Sequence, residues 1–295
     1  MRVPLSYYRQ VAGLLYIVAT PIGNLEDLSL RAAKILQSVA AVACEDTRQT
    51  AKLMAAAGAH RPLISLHEHN EKERSQELID RMLAGEDLAL VSDAGTPLIS
   101  DPGFRLVEAA VAAGVRVSPI PGPSAVLSAL SVSGLPTDHF AFIGFLPHKS
   151  AARQKLLESW GQIEATLIFF ESPHRILETL EEIAKMYPHR RLAAARELTK
   201  IYEEILRGKA AEIHATLAAR PSIKGEFTLV LERHNPEQNE ANPAQPADLK
   251  ADVERLMAEG KSRMDAIKLA AKRAGLNKRE AYELLEQSKD KTKPI

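Results

Sequence analysis

LVSDAGTPLISDPG, residues Leu90 to Gly103, carries a strand-length apolar run into a loop crowded with glycine, proline and aspartate. Gly95 and Gly103 admit positive φ and the close approach of a ligand, and Pro97 and Pro102 stiffen the turns. Asp93 and Asp101 offer acceptors at a strand end and a helix start. A second loop of this kind, Pro119 to Ala125 (PIPGPSA), follows the next apolar run. Two rigid loops at successive strand ends point to one small-molecule site.

Outward from this stretch the chain alternates. Leu14–Thr20, Val39–Cys44, Leu63–Leu66, Leu88–Ser92 and Val115–Ile120 are short apolar runs of strand type. Between them, Leu28–Val39, Thr47–Ala57, Glu71–Leu83 and Phe104–Ala113 have helical spacing. Such alternation predicts a doubly wound parallel sheet, whose strands present their C-terminal ends to a ligand. TPIGN, CEDTR, LHEHN, SDAGTP and PIPGP all fall on that edge. After a helix at Ser124–Ser133, a second series has apolar runs at Phe140–Phe145, Thr166–Phe170, Leu192–Ala195, Glu203–Leu206 and Phe227–Glu232. Its helices are a basic one from Ser150, then Pro173–Met186 and Ala210–Leu217, which together predict a second α/β domain with a mixed sheet. Asn235–Pro246 is polar, carries three prolines and has no periodicity, so it reads as a linker. The expected organisation is a tail over 1–13, α/β domains over 14–120 and 121–234, a linker over 235–247 and a helical module over 248–295.

Lys plus Arg and Asp plus Glu number 38 each, so no global charge points to nucleic acid or membrane. The balance hides one basic segment: Lys261, Arg263, Lys268, Lys272, Arg273, Lys278 and Arg279 stand against Asp265 alone. The helix expected over Asp265–Ala274, Gly275, and a capping box of Asn277 with Glu280 have helix-turn-helix spacing. Phosphate contact or a solvated lysine face both fit it. One cysteine, Cys44, excludes intrachain disulfides and cysteine zinc sites and fits a reducing compartment, with the cytoplasm as the expected location. The longest apolar runs are strand-sized, so no membrane segment is expected.

No G-x-G-x-x-G follows a strand and there is no Walker motif, which disfavours dinucleotide folds and P-loop enzymes. His67 and His69 have an H-x-H spacing but no matching third ligand, so no metal is expected. Glu45, Asp46 and Arg48 follow a strand, where they suit either polar catalysis or a helix N-terminus capped by Asp46 or Thr47. Ser172 and Pro173 suit an N-cap and first helical position. Arg196, Glu197 and Lys200 form an ion-pair cluster or touch a ligand, and spacing does not decide between these.

TPIGNLEDLSLRA, ACEDTR, LVSDAGTPLISDPG, PIPGPSA, FFESPHR and ARELTK, in this order, resemble the tetrapyrrole methylase superfamily of class III S-adenosylmethionine-dependent methyltransferases. Within it they look like the branch acting on small-subunit ribosomal RNA, and the similarity runs from about Leu14 to Glu232. The resemblance implies two α/β domains with S-adenosylmethionine folded between them, a homodimer, and methyl transfer to a cytidine ribose 2′-hydroxyl, at cytidine 1402 of 16S ribosomal RNA. It implies cofactor contacts, largely through the backbone, at Pro21, Asp93, Ala94, Gly95, Thr96, Pro97, Ser124, Ala125, Phe170, Glu171 and Leu198. On that reading Glu45 or Asp46 is the base, and Arg48, Lys149, Arg153, Lys268, Lys272, Arg273, Lys278 and Arg279 face RNA. Two other readings stay open. A methyltransferase acting on a small corrin precursor shares the loops but has no use for the basic module, and a non-enzymatic nucleic-acid-binding regulator has no use for two α/β domains.

Overall fold

The computed structural model describes residues 12–234, 246–258, 260–273, 276, 279 and 281–285. The first sheet holds β1 (Leu14–Val18), β2 (Ala41–Cys44), β3 (Leu63–Ser65), β4 (Leu88–Val91) and β5 (Arg116–Ile120), all parallel, in the order β3-β2-β4-β1-β5. The residues of β2 and β4 are buried throughout, as in a strand covered on both faces. Helices α1 (Leu30–Ser38) and α2 (Thr47–Ala56) cover one face, packing Leu36, Leu53 and Met54 on Val18, Val42 and Val91. Helices α3 (Glu71–Leu83) and α4 (Phe104–Ala112) cover the other, with Leu78, Met82 and Leu106 on Leu15 and Leu90. Each such side chain taken fully out of water contributes about 1.5–3 kcal/mol.

The strand order reverses between β1 and β4. The helix after β1 lies on one face and the helix after β4 on the other, so their loops part at the strand ends and leave a crevice, the usual ligand position in open α/β sheets.

The second sheet runs β6-β7-β10-β8-β9, with β6 (Phe140–Phe145) parallel to β7 (Thr166–Glu171) and the remaining pairs antiparallel. The other strands are β8 (Arg191–Arg196), β9 (Glu204–Lys209) and β10 (Phe227–Leu231). Helices α6 (Ser150–Trp160), α7 (Ile176–Met186) and α8 (Ala210–Ala218) close one face through Leu157, Leu180 and Leu217. The other face takes α5 (Ala125–Ser133), which packs Val126, Ala129 and Leu130 on Ile168, Ala193 and Val230. Helix α7 begins later than the Ser172 cap predicts. The Ser172 carbonyl accepts from the amides of Arg175 and Ile176, leaving Pro173 in a preceding turn and Arg175 at the N-cap position.

A separate helical unit follows residue 233. It contains α9 (Pro246–Ala258), α10 (Arg263–Arg273) and helical residues 281–285, around a core of its own that includes Leu249, Val253, Leu256, Ala266, Ile267 and Ala281. Helix α10 starts ahead of the expected Asp265 because the Ser262 hydroxyl accepts from the Asp265 amide at 3.2 Å. Residues 1–11 of the expected tail, 235–245 of the expected linker, and the Asn277–Glu280 capping box lie outside the described residues. Among the described residues no helix is long and apolar enough to cross a membrane.

Candidate active site

The loops after β1 and β4 are joined by backbone. Thr20 and Gly95 exchange two hydrogen bonds, at 2.8 and 3.0 Å, and the Thr20 hydroxyl donates to the Ser92 carbonyl at 3.1 Å. Gly95 sits at φ +84°, where a Cβ would lie 3.3 Å from Ile22 Cγ2. The same loop holds Leu98 and Ser100 at φ +72° and +66°, conformations that cost non-glycine residues energy and recur at ligand sites. ARELTK repeats the pattern, with Glu197 at +51° and Thr199 at +65° on either side of Leu198. The TPIGN and ARELTK loops also touch: a Cβ on Gly23 would fall 2.4 Å from Lys200 Cγ.

Between these loops and the ends of β7, β8 and β10 opens a cavity of about 330 Å³, within the range of small-molecule sites. Ile22, Val126, Phe170, Ala195, Leu198 and Phe227 give it apolar walls. A register irregularity in β6 between Phe142 and Phe145 accompanies the turn of Phe145 into the wall, its ring 5.3 Å from that of Phe170. Among the described residues the charged lining is one-sided: Asp93, Asp101, Glu171 and Glu226 against Lys200 alone. Lys200 is already spoken for, with Nζ 2.9 Å from Glu197 and 3.0 Å from Glu226. Burial alone would lower its pKa, but the two carboxylates outweigh that and raise it. This lining suits a cationic or zwitterionic ligand with an apolar body and, among the described residues, offers a phosphate no free cation.

The sequence profile of the tetrapyrrole (corrin/porphyrin) methylases matches residues 14–214. The chain belongs to the tetrapyrrole methylase family. Among its relatives in that family is a ribosomal RNA small subunit methyltransferase I from Halalkalibacterium halodurans, 44% identical over 97% of this chain and 100% of the relative. Another of that name, from Xylella fastidiosa, is 49% identical over 75% of this chain and 81% of its own length. Solved tetrapyrrole methylase folds agree at lower identity. Diphthine synthase superposes with a TM-score of 0.58 at 16% identity, over 74% of this chain and 89% of its own. Uroporphyrin-III C-methyl transferase from Thermus thermophilus, complexed with S-adenosyl homocysteine, gives 0.51 at 18% identity, over 75% and 97%.

In this tetrapyrrole methylase the anticipated cofactor residues Asp93, Ala94, Gly95, Thr96, Ser124, Ala125, Phe170, Glu171 and Leu198 line the cavity. Pro21 and Pro97 do not. Pro97 is buried behind its loop, and Pro21 stands between the Thr20 bridge and Ile22. Glu171 lines the wall with its carboxylate turned to protein: Arg175 and the Thr179 hydroxyl lie at 2.7 Å. Neither Glu45 nor Asp46 lines the cavity. Asp46 caps α2, accepting from the Arg48 amide at 2.8 Å, and the Arg48 guanidinium holds its carboxyl down to about 2. Glu45 is pushed the other way, by burial and then by Asp93 and Glu68, against an opposing contribution from His67. The rings of His67 and His69 pack edge-on, 5.9 Å apart.

Of the anticipated RNA-facing residues, Arg153 is corrected. It is 1% exposed, with Nε 2.6 Å and Nη2 2.7 Å from Glu182, because α6 and α7 close over the pair and take it out of reach of a phosphate. Arg48 and Lys149 are exposed, Arg48 in its ion pair with Asp46. Lys268 is exposed on α10, to which Lys272 and Arg273 also belong, and Arg279 pairs with Glu283 at 3.0 Å. Lys278 lies outside the described residues. Sequence reasoning did not pick out the wall made by Phe145, Phe227 and Thr228, which pattern alone marks as ordinary strand positions.

Proposed function

We propose that this chain transfers the methyl group of S-adenosylmethionine to the ribose 2′-hydroxyl of a cytidine in small-subunit ribosomal RNA, cytidine 1402 of 16S ribosomal RNA. The observation that carries this reading is the end-to-end match to a ribosomal RNA small subunit methyltransferase I, 44% identical over 97% of the chain. The cavity supports it. S-adenosylmethionine is a phosphate-free cation with a flat aromatic base, and the site offers apolar walls, an acidic lining and the close-approach backbone of Gly95. When bound it supplies an activated methyl on a sulfonium.

The protein's own work is then to position and to exclude water. Phe145, Phe170 and Leu198 exclude solvent, and the Thr20–Gly95 bridge fixes the loop that would hold the cofactor's polar end. In-line placement of a hydroxyl against that methyl supplies much of the acceleration. Lys149, Arg48 and the basic helical unit with Lys268 hold phosphates of the RNA, in the cytoplasm where small subunits are made. The chain works as a homodimer, which would cover Leu25 and Ile201, 55% and 94% exposed on the two loops that meet at Gly23 and Lys200. Sedimentation reads the dimer. Mapping ribose methylation on small-subunit RNA from cells lacking the protein tests the activity. One cytidine should lose its methyl and regain it with purified protein and S-adenosylmethionine; an unchanged map overturns the reading.

A further inference from the structure

We infer that the face of the first α/β domain formed by α1 and α2 is a docking surface for small-subunit RNA, with Arg31, Lys34 and Lys52 on its phosphates. The inference rests on the proposed methylation of that RNA and names cations beyond those already given. The two helices hold no acid: Arg31 and Lys34 are the charged residues of α1, Arg48 and Lys52 those of α2. All four are exposed. Arg48 is paired with Asp46, and Lys52 Nζ lies 3.0 Å from the neutral Gln49 amide oxygen. Among the described residues no carboxylate forms an ion pair with Arg31, Lys34 or Lys52.

The placement of these cations runs against the helices that carry them. A helix dipole favours acids in the first turn and cations in the last. Helix α3 obeys this, with Glu71 and Glu73 in its first turn and Arg81 in its last. Helices α1 and α2 reverse it: Arg31 and Arg48 stand in first turns that hold no acid, and neither last turn holds a cation. Cations kept where the helix disfavours them serve something outside it. The opposite face of the same sheet is mixed and self-paired. There α3 carries four acids beside three cations, with Arg74 on Glu77 and Arg81 on Glu86.

The basic face is continuous and begins beside the cavity. Gln37 in the last turn of α1 donates from Nε2 to the Ala57 carbonyl after α2 at 2.6 Å, and Arg61 Nε donates to the Gln37 carbonyl at 2.9 Å, placing a further cation at the far edge. At the near edge the Asp46 amide donates to the cavity residue Asp93 at 3.3 Å. The strand ends there are crowded with carboxyls: burial, then Glu45 and Asp93, push the Asp101 carboxyl up to about 6 against a hydrogen bond from Ser92. Such an edge repels a phosphate backbone, so a ribose is brought to it by cations alongside that hold the flanking phosphates. A second copy of this chain is the poorer occupant, since a two-fold contact would set the basic face against itself.

The test is the triple variant Arg31→Ala, Lys34→Ala, Lys52→Ala, with Lys72→Ala, Arg105→Ala as a control on the opposite face, where both side chains are exposed. Binding to small subunits from cells lacking the enzyme is measured from about 50 to 200 mM salt. The triple variant should bind about tenfold or more weakly at the lower salt and reduce the slope of log Kd on log salt by about two to three, with the control within about twofold of wild type. Single-turnover methylation should need correspondingly more subunit for half its maximal rate, while the rate at saturating subunit and the S-adenosylmethionine affinity stay within about threefold. In urea the triple variant should be at least as stable as wild type, because a first-turn cation has been removed. A less stable variant would give these side chains a structural role and overturn the inference. Wild-type affinity and slope in the triple variant, or an equal loss in the control, overturns it alone. So does altered sedimentation with subunit binding intact, which would give the face to a second copy. Cofactor binding by wild type without methylation of any small-subunit ribose overturns the proposed function itself.

Discussion

Thr20 and Gly95, 75 residues apart, face each other across the reversal in strand order and exchange both backbone hydrogen bonds, an isolated antiparallel bridge between the ends of two parallel strands. The bridge turns the β1 and β4 loops into one rigid wall. Gly95 makes it possible because its φ of +84° is closed to most side chains. Gly95→Ala is therefore expected to destabilise the protein by about 1–3 kcal/mol and to weaken S-adenosylmethionine binding by roughly tenfold or more. Calorimetric titration and urea unfolding measure the two effects, and unchanged cofactor affinity would count against the wall's role.

Arg153 and Glu182 should behave as a buried pair. Arg153→Ala leaves the Glu182 carboxylate without its cation and is expected to cost about 3–5 kcal/mol in urea unfolding. Replacing both, Arg153→Met with Glu182→Leu, should recover most of that loss, since apolar groups of similar volume remove the stranded charge. If the double variant is no more stable than the single one, the pair has another role.

Asp101 should make the protein less stable where it is ionised. Its folded pKa of about 6 lies above the unfolded value near 3.9, so the folded state is penalised above pH 6 and unpenalised below about pH 4. Asp101→Asn should accordingly raise stability at pH 7.5, by about 1–2 kcal/mol after allowance for solvent screening, with the gain fading toward pH 4. Thermal unfolding across that range reads the sign directly; a variant less stable than wild type at pH 7.5 contradicts the environment described for this carboxyl.

Lys268 is exposed on α10, and reversing its charge tests whether the helical unit meets RNA. Lys268→Glu should weaken binding to small subunits and reduce the dependence of log Kd on log salt by about one contact's worth. Cofactor affinity should not change. Equal binding at every salt concentration would assign this helix face to solvent.

Much of the architecture was legible because strand and helix periods alternate cleanly from Leu14 to Ile120, and helix α3 was bounded as Glu71–Leu83 from its spacing alone. The two glycine-proline loops announced themselves by composition. What stayed hidden depends on residues far apart in the chain. Glu71 reads as an ordinary first-turn acid of α3, and only the fold shows it capping α4. Arg153 reads as part of a basic helix until α7 brings Glu182 against it. The positive φ values of Leu98, Ser100, Glu197 and Thr199 carry no glycine to signal them, so composition alone passes over them.

The one-sided charge of that cavity bears on turnover. If the ligand is S-adenosylmethionine, it enters with a sulfonium and leaves as a neutral thioether. Asp93 and Asp101, which carry no cation among the described residues, attract the first more than the second, whereas Glu171 and Glu226 are neutralised by Arg175 and Lys200. On that electrostatic ground alone, spent cofactor should be held less firmly than fresh, which would weaken product inhibition.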